Sequence, residues 1–387
     1  MKIVKLKDLT IDGKGTYGIA APAVDWQENL PTYLRITDIF DDGTLNFSGL
    51  KSVSDSNAGK YFLNPNDIVF ARTGGSTGRS YFYDGTDGKF VYAGFLIKFS
   101  LDSKKVNPKY IKYFCLSESY KKWVHSFNTG STRGNINAQT FGNLEIPLLE
   151  RPQQDKIVSF LDSIDQKIKI NKKTNDNLEQ QASALFKSWF IDFKQVPNCD
   201  FVNSEIGLIP NDWRVYKLSD FLPVITGKKN ANVSSDKGAY PFFSCSQGIS
   251  WTNDYSFDGH AILVAGNGDF NVKWYNGKFD AYQRTYVLIP YNKRFTSWLY
   301  YAVKYNLFNI TSAARGSVIK FITKGNLENF AFAGPKDLDS LDVIDTFTTI
   351  NHTIDKKTQE NYRLSALRDA LLPKLMSGEI DVSAVQL

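Results

Sequence analysis

Two stretches of this chain carry the same spacing of apolar residues, and this repeat constrains the fold more than any other sequence feature. In the first stretch, steps of four and three residues alternate without a break. Its seam consists of Ile157, Leu161, Ile164, Ile168, Asn171, Asn175, Leu178, Ala182, Leu185 and Trp189. The seam predicts a long helix, from Pro152 to Trp189, that buries one narrow stripe against a partner helix. An ordinary long surface helix is the alternative.

The partner helix is predicted within the same chain, because the spacing returns 186 residues later. The second seam consists of Val343, Phe347, Ile350, Ile354, Lys357, Asn361, Leu364, Arg368, Leu371 and Leu375. Polar residues interrupt both seams at the same steps, which predicts an antiparallel pair with Asn171 opposite Asn361 and Asn175 opposite Lys357. In this register Ile164 meets Arg368, a mismatch. A parallel homodimer of the first helix is the rival arrangement.

The repeat also predicts the organisation of the chain, which is that of a tandem duplication. The fold class is α+β, with two mixed α/β domains separated by two long helices that pair as an antiparallel coiled coil. The predicted segments are a first domain (1–150), a first long helix (151–195), a connector (196–211), a second domain (212–335) and a second long helix (336–387).

Within the domains, local patterns predict a shared set of elements. Strands are expected at Asp67–Arg72 and Phe90–Phe99, joined by a glycine-rich loop, and one helix is expected to begin after the N-cap Asn107. The second domain repeats the strand at Ala261–Ala265, followed by its own glycine loop, and the helix at Thr296–Asn309. We match Gly325-Asn326-Leu327-Glu328 with Gly142-Asn143-Leu144-Glu145 as the end of each domain.

Composition excludes several classes of protein. No run of about 18 apolar residues occurs, which argues against a membrane span. Three scattered cysteines indicate a reducing, cytoplasmic setting and exclude a cysteine-based zinc site. Catalytic signatures are missing, and His352 is interpreted as a solvated surface residue, so no catalytic residue and no metal ligand is assigned. A net charge of +6 is compatible with a polyanionic partner without requiring one.

Polar loops in both domains carry the residue types that contact nucleic acid. Guanidinium, ammonium, hydroxyl and carboxamide groups beside glycines suit contacts to phosphates and to base edges. The candidates are Arg72, Ser76, Thr77, Arg79, Ser131, Arg133 and Asn135 in the first domain, and Lys228, Lys229, Asn267, Asp269, Lys273, Arg284, Arg315 and Lys320 in the second. Each residue by itself is better explained as a solvated side chain; the recurrence at corresponding places makes DNA binding an equally good explanation.

Three motifs together resemble the specificity (S) subunit of Type I restriction–modification systems. Pro152–Ile157 with the following seam and Ala184–Phe193 are similar to the central conserved region of that family. Gly207–Trp213 resembles the entry to its second target-recognition domain, and Leu371–Ile380 resembles its C-terminal end. The chain departs from the family pattern in one respect, since no Gly-x-Ile-Pro-x-x-Trp entry precedes the first domain.

The resemblance implies a non-catalytic chain that binds double-stranded DNA at a bipartite target, with one half-site for each domain. It further implies two methyltransferase (M) subunits as partners, together with restriction (R) subunits. S-adenosylmethionine is then expected in the M subunit, and no cofactor in this chain. A fused DNA methyltransferase or nuclease and a coiled-coil scaffold without DNA function are the alternatives.

An excess of apolar residues near the ends of the two predicted helices suggests where the M subunits dock. These residues are more numerous than a single seam requires, and exposed apolar surface usually marks a protein interface. The predicted interface residues are Phe186, Trp189, Phe190, Leu372 and Met376.

Overall fold

The computed structural model describes residues 2–127, 134–196, 200–235, 238–312 and 320–380. The chain divides into two compact units, and each unit takes one part of both long helices. Unit 1 comprises Met1–Ile168 and Asn361–Leu387, and unit 2 comprises Lys169–Glu360.

Unit 1 is built from short strands and three small helices around one end of the first long helix. Its strands are β1 (Lys2–Lys5), β2 (Thr16–Tyr17), β3 (Ala23–Val24), β4 (Thr32–Leu34), β5 (Lys51–Val53), β6 (Asp67–Ala71), β7 (Ser80–Tyr83), β8 (Phe90–Tyr92), β9 (Leu96–Ser100) and β10 (Glu145–Leu148). Its helices are α1 (Pro108–Phe114), α2 (Glu118–His125), α3 (Ala138–Gly142) and the first part of α4 (Arg151–Phe190). The sheets have the strand orders β1-β10, β2-β9-β6-β7 and β3-β5-β4-β8.

The strand connections of unit 1 differ from the prediction at the glycine-rich loop. The loop turns the chain back into β7, which pairs antiparallel with β6, because Gly74 and Gly78 adopt φ values of 78° and 85°. The predicted strand Phe90–Phe99 is two strands. The first, β8, pairs parallel with β4, and the second, β9, pairs antiparallel with β6.

Unit 2 repeats this plan with longer strands. Its strands are β11 (Phe201–Ser204), β12 (Gly207–Pro210), β13 (Trp213–Lys217), β14 (Val224–Thr226), β15 (Tyr240–Phe243), β16 (Ser250–Thr252), β17 (Phe257–Ala265), β18 (Val272–Ala281), β19 (Thr285–Leu288) and β20 (Ala331–Pro335). Its helices are α5 (Thr296–Tyr305), α6 (Leu307–Ser312), α7 (Lys324–Glu328) and the first part of α8 (Val343–Met376). The strand orders are β11-β12, β13-β20 and β14-β19-β17-β18-β15-β16.

Each unit is closed by the same antiparallel pair. In unit 1 the opening strand β1 pairs with β10, the strand before the first long helix. In unit 2 the corresponding strands β13 and β20 pair in the same way. In each unit, the strand that precedes the long helix therefore pairs with the opening strand.

The units also share a glycine that the packing requires. Gly18 donates its N–H to Leu96 O at 3.2 Å, and Gly227 donates to Thr285 O at 2.9 Å. A Cβ atom at Gly18 would lie 2.2 Å from Tyr92 O, and one at Gly227 would lie 2.2 Å from Ala281 O. Backbone passes so close to both positions that no other residue fits.

Two predicted helices are interrupted. The helix after Asn107 starts as predicted, with the Asn107 side chain accepting from Lys109 N, but it ends at Phe114. A new helix then begins because the Ser117 side chain accepts from Tyr120 N. The helix predicted at Thr296–Asn309 likewise divides into α5 and α6.

The match between Gly142–Glu145 and Gly325–Glu328 is wrong by three residues. The N-cap of α3 is Asn137 and that of α7 is Thr323, which lies 186 residues later. Asn143 and Asn329, the C-caps of the two helices, keep the same separation as the seams. The repeated Gly-Asn-Leu-Glu letters are therefore a local coincidence.

Within unit 1, α4 and the end of α8 pack together around an ion pair. Leu161 lies in one buried cluster with Leu371, Leu372 and Leu375. The Arg368 guanidinium donates to Asp165 at 3.0 Å. The predicted mismatch at Arg368 is thus accommodated by a carboxylate next to the seam.

Within unit 2, the remaining part of α4 and the start of α8 meet through polar and apolar contacts. Asn171, whose side chain is fully buried, donates to Glu360 at 2.8 Å. Asn175 donates to the Thr358 hydroxyl at 3.1 Å. Further along, Ala182 and Phe347 lie in the same apolar cluster. The carboxamide N–H groups of Asn171 and Asn175 are therefore hydrogen-bonded, whereas Asn175 Oδ1 is buried and accepts no hydrogen bond from the described residues.

One tyrosine in each unit ties a small helix to a long one. In unit 1, Tyr113 of α1 donates to Asp165 at 3.0 Å. In unit 2, Tyr301 of α5 donates to Asn351 Oδ1 at 2.9 Å. Because Asn351 lies 186 residues after Asp165, the two contacts are repeats of each other.

The structure contradicts the exposure that was predicted for the interface residues. Phe186 and Phe190 are 2% and 4% exposed, in the core of unit 2 with Trp298. Leu372 and Met376 are 3% and 5% exposed, in the core of unit 1. The extra apolar residues pack into the cores of the two units, which the seam pattern does not reveal. Among the predicted five, Trp189 retains partial exposure.

Candidate nucleic-acid interface

The glycine-rich loop of unit 1 is held by internal contacts. Gly78 packs on α2, where an added Cβ would lie 2.4 Å from a methyl group of Val124. The Ser76 side chain is buried. Thr77 donates its hydroxyl to Gly74 O at 2.8 Å or to Gly134 O at 3.1 Å. Ser76 and Thr77 therefore shape the loop, and their hydroxyl groups are directed towards protein.

Arg79 is tied down in a similar way. Its guanidinium donates to Asp41 at 2.7 Å and to Ile39 O at 3.0 Å. These contacts fix the loop to the segment before it and occupy much of the donor capacity of the side chain. Arg79 is consequently a weaker candidate for reading DNA than its place in the sequence indicates.

Arg72 is half-buried, as Arg79 is, but the residues around it are exposed. We call this group the Arg72 cluster (Tyr17, Arg72, Phe95 and Asn135). The guanidinium lies 5.0 Å from the centre of the Tyr17 ring and donates to Asn135 Oδ1 at 3.3 Å. Tyr17 and Phe95 are 42% and 59% exposed. The cluster therefore presents one cation that is oriented by the Tyr17 ring and the Asn135 carboxamide.

In unit 2 the candidates divide into internally bonded and open residues. Lys273 donates to Ser246 O at 2.6 Å and contacts Asn271, and burial lowers the pKa of its ammonium group. Asp269 accepts from Gln247 at 2.7 Å. Lys228 is exposed and lies 5.3 Å from the centre of the Phe257 ring.

Arg284 lines an open cleft of about 170 Å³, which we call the Arg284 cleft. The lining residues are Thr226, Gly266, Asn267, Gln283, Arg284, Tyr286, Phe321 and Ile322. Arg284, Gln283 and Thr226 are exposed, and Tyr286 donates its hydroxyl to Ile322 O at 3.0 Å. The cleft combines a guanidinium, carboxamides and aromatic faces, the side chains that read base edges and stack on them.

Several predicted residues add little or cannot be placed. Lys229 is half-buried, and its N–H donates to Ala281 O at 3.3 Å. Lys320 is exposed and follows residues 313–319, which lie outside the described residues. Ser131, Arg133 and Arg315 lie outside the described residues.

The sequence did not single out five aromatic, hydroxyl or amide residues of the two sites, namely Tyr17, Phe95, Thr226, Gln283 and Phe321. Tyr17 and Thr226 directly precede Gly18 and Gly227, but these glycines are 209 residues apart, and only their backbone contacts show that they correspond. The others are brought to the sites by strand pairing between residues far apart in sequence.

The described residues show no sign of a metal site or of a membrane-spanning helix. Those residues contain no group of three or more His, Cys, Asp or Glu side chains that could hold a metal ion. No described helix is both long and apolar enough to cross a membrane. His352 is exposed, as predicted, and its ring lies 5.8 Å from that of His260.

Comparison with known proteins bears on the identity of the chain. Residues 1–180 and 210–360 match the family model described as the Type I restriction modification DNA specificity domain. The specificity subunit of the Type I restriction enzyme EcoDI from Escherichia coli is 36% identical over 178 residues, which are 45% of this chain and 40% of that protein. The MjaIX specificity subunit of Methanocaldococcus jannaschii is 26% identical over 310 residues, 72% of this chain and 70% of that protein.

A solved structure supports the fold. The S subunit of a Type I restriction–modification system from M. genitalium superposes with a TM-score of 0.56 at 16% identity, over 97% of this chain and 95% of that one. At this identity the likeness shows the fold alone. The resemblance drawn from the sequence motifs is confirmed by the family match, and this chain belongs to the Type I restriction–modification DNA specificity family.

Proposed function

We propose that this chain is the sequence-reading subunit of a Type I restriction–modification complex and performs no reaction itself. It binds double-stranded DNA at a bipartite target, with one half-site for each unit. The observation that carries the proposal is the repetition of one framework with different exposed polar side chains, as in the Arg72 cluster and the Arg284 cleft.

The test is methylome sequencing of cells that carry this chain together with its M subunit. We expect one methylated motif with two defined halves and an undefined spacer. Methylation by the M subunit alone, or a motif that is continuous, would contradict the proposal. Binding of S-adenosylmethionine to the isolated chain would instead favour the fused-methyltransferase alternative. A shift of random duplex DNA that weakens with salt would count against a scaffold without DNA function.

For the assembly, we propose two M subunits, which carry S-adenosylmethionine, and R subunits as further partners. The predicted M interface depended on exposed apolar side chains. Four of its residues do not meet that condition, because they are buried: Phe186, Phe190, Leu372 and Met376. We place the contact instead at Trp189 and at the neighbouring Ile191, which is 38% exposed.

For the architecture, we propose recognition domains at 1–150 and 212–335, with a connector at 196–211. The long helices, within 151–195 and 336–387, form an antiparallel coiled coil. Two contacts support this pairing, one inside each unit. Arg368 meets Asp165 in unit 1, and Asn175 meets Thr358 in unit 2. Both agree with the predicted register to within one helical turn.

We expect the length of the paired helices to set the spacer between the half-sites. Adding one heptad to both helices, after Asn175 and near Lys357, preserves the seam and lengthens the pair by about 10 Å. At about 3.4 Å per base pair, the preferred spacer should grow by about three base pairs with unchanged half-sites.

Selection from a library of random spacers measures this change. A heptad added to one helix alone is the control, and it should disrupt the pairing rather than change the spacer. An unchanged spacer in the double insertion would refute the dependence on helix length.

A further inference from the structure

The Arg72 cluster and the Arg284 cleft occupy the same place in their units. The same backbone hydrogen bonds occur at both sites, although the side chains differ, and these bonds show which residues correspond. Ile136 donates to Arg72 O at 2.9 Å, and Ile322 donates to Gly266 O at 3.0 Å. Arg72 N donates to Phe95 O at 3.0 Å, and Gly266 N donates to Arg284 O at 2.9 Å. Arg72 thus corresponds to Gly266, and Phe95 corresponds to Arg284.

Two more correspondences complete the site. Asn135 bridges to Thr73, and Phe321 bridges in the same way to Asn267, the residue after Gly266. Gly18 and Gly227 place Tyr17 and Thr226 beside these bridges, since their N–H groups donate to Leu96 O and Thr285 O. Both sites therefore contain one arginine, an exposed aromatic ring and a carboxamide, but at exchanged positions.

A steric reason accounts for the exchange. A Cβ atom at position 266 would lie 2.4 Å from Arg284 O and 3.0 Å from the ring of Tyr286. Unit 2 consequently cannot carry an arginine at the end of β17, where unit 1 carries Arg72 after β6. Its guanidinium comes from the neighbouring loop at Arg284, and an aromatic ring, Phe321, takes the place of Asn135.

From this exchange we infer that Arg72 and Arg284 are the equivalent specificity-determining residues of the two units, each reading a guanine in its own half-site. The inference rests on the proposed DNA-binding function. The Arg72 guanidinium is oriented by Tyr17 and Asn135, and Arg284 is an exposed residue that lines its cleft. A planar guanidinium suits the bidentate contact to guanine O6 and N7. Arg72 donates to the exposed Asn135 carboxamide oxygen at 3.3–3.4 Å, whereas Arg79 makes shorter bonds to Asp41 and Ile39 O, and Lys273 donates to Ser246 O.

The experiment uses the full chain with its M subunit and a library of randomised half-sites. Arg284→Ala should reduce selection for a guanine at one position of one half-site by about tenfold to a hundredfold. Arg72→Ala should do the same at one position of the other half-site. Arg284→Lys keeps the charge but loses the planar fork, so it should lose the same preference. Arg363→Ala, at an exposed position of α8 outside both sites, is the matched control and should leave every position unchanged.

Three outcomes separate this inference from the function on which it rests. A uniform loss of affinity for all sequences in Arg72→Ala and Arg284→Ala would make both residues phosphate contacts and overturn the inference. So would an unchanged guanine preference in Arg284→Ala. Absence of any bipartite preference in the unchanged complex would reject the proposed function itself. Thermal unfolding of each variant checks that the loss does not come from misfolding.

Discussion

Replacing Gly18 by alanine is expected to destabilise unit 1 severely, and Gly227→Ala is expected to do the same in unit 2. The added methyl group would lie 2.2 Å from a backbone carbonyl oxygen in both cases, and a second carbonyl oxygen lies 2.3 Å away. Backbone in a paired strand cannot move aside as a flexible side chain can. We expect a loss of about 3 kcal/mol or more in the free energy of unfolding, measured by denaturant titration.

Two other glycines provide matched controls for these substitutions. At Gly59 in unit 1 and Gly248 in unit 2, no atom lies within 4 Å of an added Cβ. Alanine at these positions should change the free energy of unfolding by about 0.5 kcal/mol or less. If Gly18→Ala is as mild as Gly59→Ala, the close approach of the backbone at Gly18 is refuted.

Removing the Asp165 carboxylate is expected to cost about 3 kcal/mol of folding free energy. Asp165 accepts from Arg368, Lys112 and Tyr113 at distances of 2.7–3.0 Å. The Arg368 and Asp165 side chains are 12% and 19% exposed, so Asp165→Ala leaves a largely buried guanidinium without its main counter-charge. Denaturant titration of the purified chain measures the loss. Asp369→Ala is the control, because Asp369 also pairs with Arg368 but is 64% exposed.

The same carboxylate should make the stability depend on pH. Burial raises the pKa of Asp165, but the charges of Lys112 and Arg368 outweigh it and hold the pKa below its ordinary value. A lowered folded-state pKa means that the stabilisation is present above about pH 4 and is lost as the pH falls through the folded-state value. Asp165→Asn should therefore lose less stability than the wild type on acidification from about pH 6 to pH 3. Equal losses would contradict this assignment.

The sequence by itself determined the long helices and the duplication. Both depend on a spacing that every turn of a helix repeats, so local information is sufficient. The buried Asn171 and the carboxylate partner of Arg368 illustrate the limit of such reasoning. The seam shows that a polar residue interrupts the apolar stripe. It does not show the hydrogen-bonding partner of that residue, which lies on the other long helix.

Only the tertiary structure decided which candidate residues are open to a ligand. Arg72 and Arg79 lie in one glycine-rich segment, and the sequence alone does not distinguish them. In the structure Arg79 donates to Asp41, whereas Arg72 lies over the Tyr17 ring. Likewise, Phe186 and Phe190 look like surplus apolar surface on a helix until the core of unit 2 covers them. Exposure and donor capacity depend on contacts between residues far apart in the chain, and no local pattern encodes those contacts.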